Sequence, residues 1–218
     1  MHYALELSGA ERPRVASLGT AMGDQVMVNA WMHEAFYTTE ARLTCVNLFP
    51  MPNFADLRGH LLSQDVIWVG GGSVAGLLAL WRLHGFDTIL RECWEAGVVL
   101  AGVSAGSLCW HAGGTTDSYG PELRAVTDGL GFLPYANGVH YDSENQRRPL
   151  LHQLIGDGTL PAGYATDDGA GLVYHGTELV EVVSDRDAAA GYQIVPDPDR
   201  GVVETRIEPR RLPDPARV

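Results

Sequence analysis

The sequence predicts an α/β fold, a three-layer α/β/α sandwich built on a mostly parallel sheet. Short apolar runs alternate with helical stretches through the first two-thirds of the chain. Strands that are apolar along their whole length are typical of a parallel sheet covered on both faces. The 218 residues, 45% of them apolar, suffice for one such domain. We therefore predict a single domain over 1–218, whose last part, 196–218, forms an irregular tail.

The elements follow one another in an alternating order. The predicted strands are 14–19, 43–48, 65–69 and 97–102, and the predicted helices are 24–37, 75–83 and 87–96. A further helical stretch is predicted over 105–111. The segment 164–195 alternates short strands with Asp-Gly and His-Gly turns, which predicts hairpins that extend the edge of the sheet.

Charge and composition exclude several classes of protein. The formal net charge of -12 argues against a nucleic-acid partner, because a phosphate backbone attracts Lys and Arg. The first residues lack the basic and apolar segments of a secretion signal, and no apolar run approaches the roughly 20 residues that cross a bilayer. The three cysteines show no metal-ligand spacing. We therefore expect a cytoplasmic protein that does not bind membranes.

The strongest chemical signal is the segment Gly102-Val103-Ser104-Ala105-Gly106. A G-x-S-x-G pattern places a serine on a sharp turn from strand to helix, where flanking glycines tolerate the close approach of the backbone. A predicted strand precedes this serine and a helical stretch follows it. Ser104 is therefore a candidate nucleophile, although the same five residues also fit an ordinary turn with a solvent-facing serine.

A glycine triplet, Gly70-Gly71-Gly72, ends another predicted strand. Its amides are expected at the same carboxyl edge of the sheet as Ser104, where they can form an oxyanion hole together with the amide of Ala105. The run lacks the GxGxxG register and the Walker lysine that a nucleotide-binding turn requires. A purely structural turn remains an alternative.

A serine nucleophile needs a base and an acid that orients the base. Of the eight histidines, His140 follows a short segment that returns to the sheet edge, where catalytic residues are common. The acid is less defined, since Asp is frequent in turns. Residue pattern alone leaves four carboxylates open, namely Asp117, Glu122, Asp128 and Asp142.

Five segments together resemble one known group, the dipeptidase E (α-aspartyl dipeptidase) and cyanophycinase serine peptidases. They occur in the order and approximate spacing of that group over about residues 14 to 195, and they are 66–72, 102–106, 115–117, 140–141 and 166–169. The resemblance implies a flavodoxin-like fold similar to the class I glutamine amidotransferases. This chain departs from the group at Gly72-Ser73, where the common pattern is GGGN. The group also opens with a strand and a glycine-rich turn ahead of its first helix, so the resemblance implies an additional upstream segment.

The resemblance also implies roles for single residues. Ser104 would be the nucleophile, His140 the base and Asp117 the acid, while Gly72 and Ala105 would supply the amides of the oxyanion hole. No metal or organic cofactor is expected. The implied reaction is hydrolysis of short peptides with an N-terminal aspartate through an acyl-enzyme on Ser104.

An acidic substrate calls for a cation near the site, and Arg147 and Arg148 are the candidates, with a solvated helix face as the alternative. Glu144 and Tyr141 are candidates for contact with the substrate amine or carbonyl. The expected partner is a small peptide, and a homodimer stays open. The competing hypotheses are a cyanophycinase-like or broader serine exopeptidase and a non-catalytic member of the fold that binds a ligand.

Overall fold

The computed structural model describes residues 1–213, which form two compact units, 1–107 and the chain from 108 onward. The elements of the first unit are α1 (His2–Leu7), β1 (Arg14–Leu18), a 3₁₀ turn (Thr20–Met22), α2 (Val26–Phe36), β2 (Arg42–Val46), α3 (Leu57–Leu62), β3 (Val66–Val69), α4 (Val74–Leu83), α5 (Phe86–Glu95), β4 (Val99–Gly102) and the first residues of α6 (Ala105–Leu108).

The first unit is built on a fully parallel sheet with the strand order β2-β1-β3-β4. Strands β1 and β3 lie in the middle and are buried along almost their whole length, as the continuous apolar runs predicted. Val15 and Val66 on one face pack against Phe36 of α2, with residues of α1 alongside. The predicted α/β architecture is therefore confirmed.

One ion pair joins the amino end of β1 to the residue that precedes β3. Asp65 accepts hydrogen bonds from the backbone N–H of Arg14 at 2.7 Å and from its guanidinium at 3.0 and 3.2 Å. These bonds, with the charge of Arg14, hold the pKa of Asp65 below its ordinary value although slight burial opposes them. The pair adds a side-chain contact to the backbone pairing of β1 with β3.

The second unit contains β5 (His111–Thr116), β6 (Arg124–Val126), β7 (Leu133–Gly138), α7 (Arg147–Gly156), β8 (Gly163–Thr166), β9 (Ala170–His175), β10 (Glu178–Ser184), β11 (Gly191–Asp197), β12 (Gly201–Ile207) and β13 (Arg210–Arg211). A six-stranded sheet has the order β12-β11-β8-β7-β5-β6, in which β5, β7 and β8 are parallel to one another. Helix α7 packs on this sheet through Leu151, Leu154 and Ile155.

One prediction about this part of the chain is wrong, and another is confirmed only in part. The segment from 196 is not an irregular tail, because β11 and β12 form a regular hairpin across residues 197–201, and β13 pairs with β10. The Pro, Asp and Arg residues of this segment are typical of loops and led to the prediction. Most of them lie at the turn of the hairpin or after β12. The last five residues of that prediction, 214–218, lie outside the described residues. In the segment 164–195, the β9–β10 hairpin forms a separate three-stranded sheet with β13, whereas β11 pairs antiparallel with β8 and extends the larger sheet as predicted.

None of the helices within residues 1–213 is both long and apolar enough to cross a membrane.

Candidate active site

Ser104 stands at the carboxyl end of β4 on a turn with unusual backbone geometry. Its φ is 54°, in the left-handed region that costs a residue with a Cβ about 1–2 kcal/mol. The glycines on either side are required by packing, since a Cβ on Gly106 would collide with the carbonyl of Val69 in β3, and one on Gly102 would meet the same oxygen at 2.8 Å. A residue with a Cβ and a positive φ on a strand-to-helix turn has the backbone geometry that the G-x-S-x-G pattern predicts.

The helix after this turn is shorter than predicted. α6 ends at Leu108, and His111 begins strand β5 where a helix over 105–111 was expected. His111 is buried, with its ring against Asn137 and Tyr174. A strand is formed here because Gly113 and Gly114 disfavour a helix and their backbones pack closely on neighbouring strands.

The glycine triplet lies against the turn at Ser104. A Cβ on Gly71 would stand 3.2 Å from the Cβ of Ser104, so only a glycine allows this contact without a shift. The amide of Gly70 donates to Leu18, and that of Ser73 donates to Ala21 at 2.9 Å. Within residues 1–213, the amides of Gly71, Gly72 and Ala105 have no such acceptor in the chain.

His140 follows β7 and also has a positive φ, 55°. Its Nδ1 lies 2.8 Å from Oδ1 of Asp168, which follows the neighbouring parallel strand β8. Both side chains are partly exposed. A carboxylate on Nδ1 fixes the tautomer of the imidazole and leaves proton exchange to Nε2.

Asp168 is held in place from several sides. Its amide donates to Asp142 at 2.8 Å, and its carbonyl accepts from the guanidinium of Arg186 at 2.9 Å. Partial burial raises the pKa of Asp168, but hydrogen bonds from Ser143 and His140 and the charges nearby outweigh it, so that the pKa lies below its ordinary value. The carboxylate therefore stays ionised across the neutral range.

The acid predicted from the sequence, Asp117, does not occupy this position. Its side chain is 62% exposed and lies 3.9 Å from the guanidinium of Arg147. The carboxylate beside Nδ1 of His140 belongs to Asp168. Asp168 lies in 166–169, one of the five segments that resemble the dipeptidase E group, but it is not among the four acids that the residue pattern predicted. The parallel pairing of β7 with β8 adds Asp168 to the candidates beside Asp117, because the carboxyl ends of adjacent parallel strands meet at one edge.

Arg147 and Arg148 make contacts within the second unit. Arg147 is only 4% exposed and donates to Glu144 at 2.8 Å and to the backbone carbonyl of Thr115 at 2.5 Å. Arg148 lies between the rings of Tyr141 and Tyr192, 4.4 and 4.7 Å from their centroids. These contacts favour a structural role for both guanidinium groups over capture of a substrate carboxylate.

Tyr141 points into the protein. It is buried, and its hydroxyl donates to Glu204 at 2.7 Å. Burial and the neighbouring carboxylate of Glu204 raise the pKa of Tyr141 well above its ordinary value. Glu144 differs, because it lines an open cavity of about 570 Å³ together with Asp117.

A peptidase family and one similar bacterial protein each match most of this chain. The model of peptidase family S51 matches residues 2–182. The uncharacterized peptidase YgaJ of Bacillus subtilis (strain 168) is 44% identical over 193 residues, which cover 88% of this chain and 83% of that protein.

Two solved structures share the fold. A peptidase from an acI-B1 Actinobacterium has a TM-score of 0.67 at 17% identity, covering 95% of this chain and 88% of its own. A candidate peptidase E protein from Listeria monocytogenes EGD-e has a TM-score of 0.58 at 14% identity, covering 95% and 93%. With a family model that matches most of the chain and a relative at 44% identity, this protein belongs to peptidase family S51.

Proposed function

We propose that this protein is a serine exopeptidase that hydrolyses short peptides through an acyl-enzyme on Ser104. The observation that carries the proposal is the turn at Ser104, where a positive φ presents the side chain at a strand end beside amides that no carbonyl of the described chain occupies. A serine in such a turn is suited to attack a carbonyl, and free amides are suited to the oxyanion that forms.

The proposed reaction assigns the proton transfers to His140. Nε2 of His140 accepts the Ser104 proton as Oγ bonds to the carbonyl carbon, and it returns that proton to the nitrogen as the C–N bond breaks. Water then attacks the ester carbon while Nε2 of His140 accepts its proton, and that proton passes to Ser104 Oγ as the ester C–O bond breaks, which releases the acid and restores the serine. The amides of Gly72 and Ala105 stabilise the oxyanion in both steps, and Asp168 keeps the imidazole in its productive tautomer.

The open cavity beside Glu144 supports removal of residues from a free amino end. Asp117 and Glu144 both line this cavity and contribute two carboxylates to it. Glu144 also forms an ion pair with Arg147 at 2.8 Å. A substrate ammonium would be attracted to such a cavity. We propose that Glu144 contributes to binding of the substrate amine, which would raise KM in Glu144→Gln.

The preference for an N-terminal aspartate that the resemblance implies has less support. It needs an available cation, whereas the contacts of Arg147 and Arg148 are with groups of this chain. Asp-X dipeptides are therefore the first substrates to test, beside peptides without an acidic residue.

The test is a comparison of Ser104→Ala with Ser63→Ala, a serine-to-alanine change on an exposed helix end. Release of free amino acids from a panel of Asp-X and non-acidic dipeptides is measured by chromatography. Ser104→Ala should lose all detectable turnover and keep its circular dichroism spectrum, and Ser63→Ala should match the wild type. Turnover at the wild-type rate in Ser104→Ala would exclude the acyl-enzyme.

A further inference from the structure

The first unit has an apolar groove that the proposed reaction does not use. It has a volume of about 510 Å³ and runs along one side of α4, past Ala79, Leu80 and Leu83, with Phe49 opposite. We call it the α4 groove. None of the described residues that line it carries a charge. Phe49 is 60% exposed and Leu83 is 76% exposed, so the groove leaves large apolar surfaces in contact with water.

The α4 groove lies where open α/β sheets bind ligands. In the order β2-β1-β3-β4, the chain leaves β1 toward one edge of the sheet and β3 toward the other, so the sheet changes direction between these two strands. Thr20 and Ala21 follow β1, and Ser73 follows β3. Crevices outside the carboxyl ends of the strands at such a point are the usual ligand sites of this architecture.

The inner end of the groove, at Ser73, lies two residues along the chain from Gly71, which contacts the turn at Ser104. Gly71 packs against Ser104, the backbone of Gly72 against the carbonyl of Ala21, and Ser73 donates to the same carbonyl. Three residues of chain span at most about 10 Å. Because an extended peptide advances about 3.3 Å per residue, a side chain within about three residues of the reacting carbonyl can reach the groove.

The polar atoms at the inner end of the groove already have partners. Ser73 Oγ accepts from the amide of Gly76 at 3.1 Å, and Thr20 Oγ1 accepts from the indole N–H of Trp81 at 3.1 Å. The groove therefore offers apolar contact and no site for a charged or phosphorylated group. Its natural occupant is an aliphatic or aromatic side chain, which would cover Phe49 and Leu83.

We propose that the α4 groove binds an apolar side chain of the peptide substrate within three residues of the scissile bond. This inference rests on the proposed peptidase function and narrows its substrate class. The preferred substrates are short peptides with a Leu, Met or Phe side chain at that distance, whether or not they begin with aspartate.

The first experiment compares kcat/KM for peptides that differ in one side chain, such as Asp-Leu against Asp-Ala and Ala-Ala-Leu against Ala-Ala-Ala. In the wild type we expect the leucine peptide to be preferred by about 10- to 100-fold, the range for a filled apolar pocket, in at least one pair. Ala79→Glu, which places a carboxylate on the exposed groove side of α4, should reduce that preference to near unity, because it slows the leucine peptides much more than the alanine peptides.

The matched control is Thr88→Glu, which adds the same charge at an exposed position of α5 outside the groove and should keep the wild-type preference. A wild type without any preference would overturn the proposal, as would an Ala79→Glu variant that slows leucine and alanine peptides equally. Conversion of a dimer to a monomer by Ala79→Glu with the preference intact would identify the groove as an interface between copies and also overturn it.

A second experiment separates this inference from the proposed function. Calorimetry measures binding of the same peptides to Ser104→Ala, in which hydrolysis is blocked. The proposal would be supported if Ser104→Ala binds the leucine peptide more tightly than the alanine peptide and the added substitution Ala79→Glu abolishes that difference. This result would support the groove even if the wild type hydrolysed neither peptide. Equal binding of both peptides would exclude the groove, while the hydrolysis proposal would stand on the turnover data.

Discussion

His140 has a carboxylate on either side of its strand. β7 lies between β5 and β8 in a parallel arrangement, so Asp117 at the end of β5 and Asp168 at the end of β8 both reach the same edge of the sheet. The difference between them comes from their neighbours. Arg147 attracts Asp117, whereas Asp168 is fixed by Asp142 and Arg186 and contacts the imidazole.

The first prediction separates these two carboxylates. Asp168→Asn should lower kcat by about 100-fold or more, because the imidazole loses the group that fixes its tautomer and stabilises its charged form. Asp117→Asn should keep the wild-type kcat and change at most KM. Steady-state kinetics on the best peptide substrate measures both. The reverse order of effects would return the role of the acid to Asp117.

The second prediction concerns pH. The folded protein holds the pKa of Asp168 below its ordinary value of 3.8, so the proton binds more tightly to the unfolded chain. The stabilisation by Asp168 is therefore fully present above that value and is lost as the pH falls through the folded pKa. The difference in unfolding free energy between wild type and Asp168→Asn, measured with denaturant, should shrink below pH 4. A difference that grows toward acid would show that the sign of the shift is wrong.

At this scale the sequence could indicate Ser104 and His140 but not the acid. Ser104 stands in a motif whose glycines report a tight turn, and the structure shows that turn. The choice between Asp117 and Asp168 depends on the contacts that these two residues make with Arg147, Arg186 and Asp142. Each of these three residues is distant in sequence from the aspartate that it contacts. No local pattern carries that information.

The N-cap residue of α4 accounts for the one position in the glycine segment where this chain differs from the dipeptidase E group. Ser73 is the N-cap of α4, and its hydroxyl accepts the amide of Gly76. The dipeptidase E group commonly has Asn after the glycine triplet. Since Ser and Asn are both strong N-cap residues, the substitution preserves the start of the helix.

The third prediction tests this cap. Ser73→Asn should have the same unfolding free energy as the wild type within a few tenths of a kcal/mol, and Ser73→Ala should lose about 1 kcal/mol because the Gly76 amide loses its acceptor. Chemical denaturation measures both variants. Equal stability of Ser73→Ala and the wild type would mean that the cap contributes nothing at this helix.

The helices and strands were predicted correctly where the sequence has a long apolar run. The predictions failed where residues typical of turns, such as Pro, Asp and Gly, dominate a segment. β1 and β3 are buried on both faces and read as continuous apolar runs, so their positions agree to within one residue. The hairpin of β11 and β12 contains Pro196, Asp197 and Gly201, and these turn formers masked the strand residues Val202 and Val203. Pairing with a distant strand decides such a segment.

For the whole molecule, net charge is the property that sequence defines most directly. The excess of 12 negative charges at pH 7 corresponds to an isoelectric point near 4.9. Repulsion between copies keeps an acidic protein dispersed at neutral pH and vanishes where the net charge is zero.

The fourth prediction follows from that charge. Solubility in polyethylene glycol, measured from pH 4 to 8, should pass through a minimum close to pH 4.9, and the protein should elute from a heparin column without added salt. Retention on heparin would reveal a basic surface that the overall composition does not show.

The positive φ values at Ser104 and His140 have a consequence for how such a chain would evolve. Glycine destabilises most positions, yet at these two it removes a steric conflict that serine, histidine and alanine all keep. Ser104→Gly should therefore be at least as stable as Ser104→Ala, the opposite of the usual order. Under the proposed mechanism, a descendant that no longer needs hydrolysis would gain stability by replacing these two side chains. Retention of both side chains in a lineage would then indicate that the reaction is still under selection.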